Sequence, residues 1–279
     1  MGTSKSYEGP TGHTPLLPPW APDPPPEPDD EKGLGGSPAP DDTPQLPEVG
    51  EDLPRWSVPK SAMTRYASTG GRDIGHVRRA SSGFVSAQGG ARLAAAGSIS
   101  GRQAAVRMGG VFAAALTEGA AGLLRFLGAQ HVGSDIESLL SALVDAIAPA
   151  GSLAEEAAAR AAAAATIEDV FELYGVDEGG LEALDDLPPE VVGDVMERYT
   201  AEYVFTRLME TLASRVENGA GSAQEVCRME RDIRDYVTEQ IRYELSERDV
   251  LQIDWNGPEA GRLVESVFTE AYTILEAWR

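Results

Sequence analysis

The sequence predicts an all-α protein in which a C-terminal helical bundle follows a long, disordered Pro/Gly-rich N-terminal tail. Three observations lead to that class. Ser134-Asp-Ile-Glu137, Ser152-Leu-Ala-Glu155 and Ser222-Ala-Gln-Glu225 each have the spacing of a capping box, in which a serine hydroxyl and a glutamate satisfy first-turn amides. Apolar residues recur every three or four positions along Val226, Met229, Ile233, Val237, Ile241 and Leu245, and again along Val264, Val267, Phe268, Ala271, Ile274, Leu275 and Trp278. No stretch alternates apolar and polar residues for long enough to suggest a sheet.

Taken in order, residues 1–20, MGTSKSYEGPTGHTPLLPPW, are Gly, Pro, Ser and Thr closed by one tryptophan, and are read as a recognition tail. Residues 21–60 are an acidic, proline-rich linker with PDPPPEPDDE and GLGGSPAPDD as its extremes. Such a composition cannot bury enough apolar surface to offset the roughly 1–2 kcal/mol of backbone entropy that each ordered residue loses. The linker is therefore expected to be disordered and to hold the first twenty residues away from the body. Residues 61–130 form a basic Gly/Arg-rich docking segment, with short helical turns expected over 77–87 and 91–96 and longer helices only from about residue 102, because each glycine costs a helix about 1 kcal/mol. Residues 131–279 are an acidic helical bundle. Pro188, Pro189 and Pro258 suit helix starts, since proline lacks only an amide that the first turn leaves unused. Trp278 implies that the last helix is docked.

Charge follows the same divisions. The chain has a net charge of -22, made of -9 over residues 1–54, +8 over 55–130 and -21 over 131–279. The overall excess argues against general affinity for nucleic acid or acidic membranes. The most apolar stretch, Val106 to Leu127, carries Arg107, Glu118 and Arg125, so it does not read as a membrane span. The N-terminus has no apolar core of a signal peptide, and one cysteine, Cys227, permits no disulfide within the chain; both readings suit a cytoplasmic protein. Cys227 itself is expected to be a small buried side chain.

There is no Gly-Lys dipeptide for a phosphate-binding loop and no GxGxxG after a strand. His13, His76 and His131 match no metal-ligand spacing, and Asp254-Trp-Asn-Gly257 lacks the further ligands of a calcium loop, so neither a metal nor a cofactor is expected. The pairs Glu155-Glu156 and Asp185-Asp186 read as helix-start residues that favour the dipole. The expectation is a protein that is not an enzyme.

The basic segment, with Arg65, Arg72, Arg78, Arg79, Arg92, Arg102 and Arg107, admits two readings. One is phosphate neutralisation on a nucleic acid. The preferred one is docking onto an acidic surface, either the chain's own body or a partner's, because interleaved aromatics are few and the flanking acids compete for the same guanidinium groups.

MGTSKS also fits the M-G-x-x-x-[ST] acylation pattern, but an arm of net charge -9 lacks the basic cluster that a single acyl chain needs for stable anchoring, so no membrane association is expected. The pattern does direct attention to the terminal amine. With a pKa of about 7.8, about a third of a glycine α-amine is neutral at pH 7.5, against about 0.1% of an ordinary lysine. Gly2, freed of Met1, is the better neutral nucleophile than Lys5.

MGTS at 1–4, Gly9-Pro10, Gly12, and above all Thr14-Pro15-Leu16-Leu17-Pro18-Pro19-Trp20-Ala21, followed by an acidic proline-rich linker and a Gly/Arg segment ending near Arg125-Phe126-Leu127, resemble the QatB family of the Qat anti-phage defence system. The resemblance implies a non-enzymatic component that works beside a P-loop ATPase, a QueC-like enzyme and a TatD-like nuclease. It further implies that Gly2 is the acceptor for a deazaguanine whose carboxylate the QueC-like partner activates with ATP. Thr3 and Ser4 would be the small neighbours that enter the catalytic pocket. Pro10 and the Pro15, Leu16, Leu17, Pro18, Pro19, Trp20 stretch would be the handle gripped outside it, a preformed polyproline ligand with one aromatic anchor. Read without the resemblance, the handle is a generic PxxP ligand or mere linker composition before it is part of a modification site. A nucleic-acid-binding or scaffold subunit of the same complex is the alternative role.

Overall fold

A computed structural model describes residues 56–128, 136–245 and 253–278. The leader with Gly2, Thr3, Ser4, Pro10 and Pro15 to Trp20, nearly all of the linker, and the Ser134 box lie outside these residues. Within them the chain is helix and connecting turn, with no strand among the described residues. The elements are α1 (Ser57–Ser68), α2 (Ile74–Ala87), α3 (Ala91–Gly97), α4 (Ile99–Phe126), α5 (Ile136–Ile147), α6 (Ala154–Leu173), the short α7 (Val176–Gly179), a 3-10 turn (Gly180–Asp186), α8 (Val191–Gly219), α9 (Ala223–Leu245) and α10 (Pro258–Glu276).

Helix α8 is the axis of the bundle. It packs against α1, α4, α6, α9 and α10, and for this reason its middle is buried all round, from Tyr199 through Phe205 without a break. A helix on the surface would show only one apolar stripe. Helix α10 closes the other side against α2, α3, α4 and α9. The two stripes read from the sequence face this core: Met229, Ile233, Val237 and Ile241 are buried on α9, and Val264, Val267, Phe268, Ala271 and Leu275 on α10. Trp278 packs on Tyr236 with ring centroids 5.2 Å apart, and so ties the end of α10 to α9.

The onset of long helices is earlier than the glycine content suggests. Helices α1 and α2 precede residue 88, and α4 starts at Ile99 and runs for 28 residues through the apolar stretch around Val106. The glycines there are points of close approach. A Cβ on Gly101 would lie 2.5 Å from the ring of Tyr203, and one on Gly109 would enter the ring of Trp255. Packing of two large aromatics against bare backbone recovers more than the helix loses in propensity. Gly119 acts through its backbone instead. With φ +57° and ψ -144° it breaks α4, in a conformation that glycine adopts without a steric penalty.

Capping differs in detail from the sequence pattern. At Ser222 half of the box forms, its hydroxyl accepting from the Glu225 amide at 3.2 Å, while the Glu225 carboxylate accepts from the Gly221 amide at 2.9 Å, one residue earlier than the pattern has it. At Ser152 it is displaced by one residue: Glu156, not Glu155, closes on the chain, accepting from the Leu153 amide at 2.9 Å. Pro258 is the first residue of α10, as its missing amide allows. Cys227 is exposed on α9, contrary to the expectation of burial, because the core stripe of that helix passes through Met229 and leaves residue 227 on the outer side. None of the described helices is long and apolar enough to cross a membrane.

Candidate functional site

Of the residues singled out from the sequence, the seven arginines are the ones that the structure places, and it divides them. Arg78 donates from Nε and Nη2 to the Tyr236 hydroxyl, each at 3.2 Å, and so links α2 to α9. Arg102 donates to the Ala96 carbonyl at 3.2 Å and reaches Glu265 of α10 at 3.8 Å. Arg107 donates to the Ile147 carbonyl at 3.2 Å, while Arg160 donates to the next carbonyl, Ala148, at 3.0 Å and pairs with Asp145. Two guanidinium groups thus hold the C-terminal end of α5, where unpaired carbonyls and the negative end of the dipole favour cations. Arg78, Arg102 and Arg107 are therefore internal ties.

Arg65, Arg72, Arg79 and Arg92 are exposed on α1, the α1–α2 turn, α2 and α3. Each of these solvent-facing guanidinium groups stands without a carboxylate at ion-pair distance among the described residues. His76 sits near Asp73, 3.6 Å away on the same turn of α2, and Asp73 also caps that helix through the Gly75 amide.

The most elaborate polar arrangement was not legible as such in the sequence. The Glu155 carboxylate, projecting from the first turn of α6, accepts from the Ser100 amide at 3.1 Å, the Gly101 amide at 2.8 Å and the Tyr203 hydroxyl at 2.7 Å. It is the N-terminal cap of α4, supplied by another helix. Around it Tyr199 donates to the Gly101 carbonyl at 3.1 Å, and Ser98 and Tyr272 share a hydrogen bond at 3.1 Å. Burial works to raise the Glu155 pKa, but the hydrogen bonds from Ser100, Gly101 and Tyr203 outweigh it, and the net shift is downward. Burial also pushes the neighbouring phenols up, Tyr272 to about 12. The acid pair Glu155-Glu156 carried the available signal: one carboxylate serves its own helix and the other is spare.

Asp185 repeats the device. Its Oδ1 accepts from the Ala120 amide at 3.0 Å and so caps the second half of α4 immediately after the break at Gly119. Both acids read as local helix-start residues therefore serve one distant helix.

Two further acids are shifted upward. Burial raises Glu202, with Arg234 at 3.3 Å opposing and Asp169 adding, and the same Arg234 lies 4.9 Å from the centroid of the Phe205 ring. Burial raises Glu197, and the nearby Asp194, held at 2.7 Å by the Tyr174 hydroxyl, raises it further. Each arrangement ties neighbouring elements of the bundle together. No group of three or more His, Cys, Asp and Glu residues that could hold a metal ion occurs among the described residues. An apolar groove between α5 and α6 is lined by Leu140, Val144, Ala157, Ala161 and Ala164, and Leu93, Ile99 and Leu153 project into solvent near the start of α4.

Residues 89–275 match the family model described as Qat anti-phage system associated protein QatB. The match spans α3 to the last turn of α10 and leaves out the leader, the linker, α1 and α2. No match was found among curated proteins or among solved structures.

Proposed function

This chain belongs to the QatB family, whose members are associated with the Qat anti-phage system, and from that membership we propose that it is a non-enzymatic partner protein whose Gly2 amine accepts a deazaguanine. A QueC-like enzyme activates the carboxylate of the base with ATP. The neutral amine attacks the activated carbonyl carbon, the activating group leaves, and the nitrogen gives up one proton as the amide forms. Thr3 and Ser4 pass into the pocket because they are small, and Pro15 to Trp20 dock outside it.

The observation that carries this reading is the leader itself: an unhindered glycine amine followed, within twenty residues, by a stiff Pro-Leu-Leu-Pro-Pro-Trp handle, on a chain of this family. The polar clusters of the body fit alongside it, because Glu155, Asp185, Arg107 and Arg160 are occupied in capping helices. The body is then a platform for the other system components, a P-loop ATPase and a TatD-like nuclease among them, and works in the cytoplasm.

Intact-mass measurement after co-expression with the QueC-like partner tests the proposal. An added mass equal to the deazaguanine acyl group, absent in Gly2→Pro, is expected. No added mass, or addition that survives Gly2→Pro, overturns it. A nucleic-acid or scaffold role is the second reading, favoured by the four exposed arginines.

A further inference from the structure

The three most exposed large hydrophobic residues among the described residues stand at one corner of the body. They are Leu153, 63% exposed, Leu93 at 60% and Ile99 at 56%. Glu155 brings two of them together: its carboxylate, two residues beyond Leu153, accepts from the Ser100 and Gly101 amides that follow Ile99. Arg102 brings in the third, since its hydrogen bond to the Ala96 carbonyl folds the start of α4 onto the end of α3, and Leu93 shares the exposed side of α3 with Ala96 and Gly97. Single apolar residues on a surface need no explanation, but a cluster rimmed by polar groups marks a contact surface.

The fold supplies no reason for these side chains. Leu153 is the N-cap of α6, with φ -90° and ψ 146°, a position at which serine, threonine, aspartate or asparagine makes the hydrogen bond that leucine cannot. Glu156 already reaches back to the Leu153 amide at 2.9 Å, so a serine at 153 would complete a capping box. Ile99 opens α4 with more than half of its surface in water, where a β-branched side chain adds nothing to helix stability. Residues that break a local rule with no structural gain are those to expect at a functional surface.

Beside Ile99 and Leu153 runs a cleft of about 180 Å³, lined by Ser100, Gln103 and Arg107 of α4, by Pro149 and Ala150 ahead of α6, and by Glu156. Charge identifies what fits there. Arg92, next to Leu93, is exposed with no carboxylate at ion-pair distance among the described residues, and Arg107 is exposed at the cleft. The acid of the cleft, Glu156, is engaged by the Leu153 amide. A nucleic acid would use the arginines but not the aliphatic cluster, because its backbone is bound through polar groups. An acidic membrane surface would be repelled by a chain of net charge -22. A second copy across a two-fold axis would set the same arginines against each other. A protein segment that carries both apolar side chains and carboxylates matches every part of the corner, and the cationic rim steers its approach.

On the reading of the body as a platform for the other system components, we infer that the α3–α4 corner is its docking surface and that the occupant is an acidic segment of one of those components. Its apolar side chains pack on Leu93, Ile99 and Leu153, and its carboxylates meet Arg92 and Arg107.

The test is retention of the co-expressed QueC-like, ATPase and nuclease components on the tagged full chain at physiological salt. Wild type should retain at least one of the three, and the double variant Ile99→Ser, Leu153→Ser should lower that retention by about ten-fold or more. Arg92→Glu should lower it as well. Melting temperature separates docking from folding: the double variant should melt no lower than wild type, and Leu153→Ser alone up to about 4 °C higher, because it completes the box with Glu156. Leu173→Ser, at the far end of α6 about 30 Å away, removes another exposed leucine and should leave retention unchanged. Repeating the measurement in the Gly2→Pro chain removes the acceptor amine and should leave docking intact, so failure of conjugation and failure of docking are read separately. Retention unchanged in the double variant, or no component retained by wild type, would overturn the inference. So would a concentration-dependent doubling of mass of the chain alone that the double variant abolishes, since the corner would then belong to a second copy.

Discussion

The Glu155 carboxylate stands over the first turn of α4 with one oxygen 2.8 Å from the Gly101 amide nitrogen. Fifty-four residues separate the two, so the start of the longest helix in the basic segment is completed by the acidic half of the chain. The two halves therefore fold as one body, and the described residues all fall within a single compact unit.

Removing that cap has a predictable sign. The Glu155 pKa lies below its ordinary value of 4.5 in the fold, so the unfolded chain binds the proton more readily. Its contribution to stability is fully present above the ordinary value and is lost as pH falls through the folded one. Glu155→Ala should cost about 1–3 kcal/mol at pH 7, the scale for a charged cap with several donors left unpaired. Denaturant unfolding at pH 7 and pH 3.5 checks it: the difference between wild type and variant should shrink at the lower pH.

Glycine-to-alanine substitution should act in opposite directions at two helical sites. Gly261→Ala, on α10 with no atom within 4 Å of the added Cβ, should stabilise by up to about 1 kcal/mol through helix propensity alone. Gly101→Ala gains the same propensity but sets its Cβ 2.5 Å from the buried Tyr203 ring, and overpacking of about 1–3 kcal/mol should prevail. Melting temperatures of the two variants should move apart. A rise in both would mean that Tyr203 does not rest on the α4 backbone.

The contrast shows what the sequence could and could not express. The stripes on α9 and α10 and the cap at Ser222 were readable because their causes are local: periodicity of 3.6 and a four-residue box. Gly101 and Gly109 read only as glycines that weaken a helix, since the rings that fill the space beside them belong to Tyr203 and Trp255, about a hundred or more residues away. Asp185 and Glu155 read as caps of their own helices for the same reason. Among the seven arginines the sequence held no hint that Arg102 and Arg107 tie helices together while Arg65, Arg72, Arg79 and Arg92 face solvent. The leader, conversely, rests on the sequence and the family alone.

Glu197 offers a second test of the electrostatics, with the opposite sign. Burial, reinforced by Asp194, raises its pKa, and Arg242 and Arg198 only partly offset this. A carboxylic acid with a raised folded pKa subtracts stability once pH exceeds its unfolded value. Glu197→Gln should therefore leave stability at pH 7 unchanged or higher, by no more than about 1 kcal/mol given its partial exposure. A clear loss at pH 7 would show that the charged form is held by a partner.

Cys227 should behave as a free surface thiol. With the side chain exposed on α9, a thiol reagent should modify one group per chain under native conditions, at a rate within about ten-fold of that in the denatured protein. Modification that appears only after denaturation would mean that the outer side of α9 is covered.

The central claim is that the leader supplies a nucleophile to another protein of the defence system. Tandem mass spectrometry of the N-terminal peptide, after co-expression of the chain with the QueC-like component, tests it most directly. A deazaguanine amide carried on the α-nitrogen of Gly2, with Lys5 unmodified, is the predicted result. An unmodified Gly2, or the same adduct on Lys5 or an internal side chain, would contradict it.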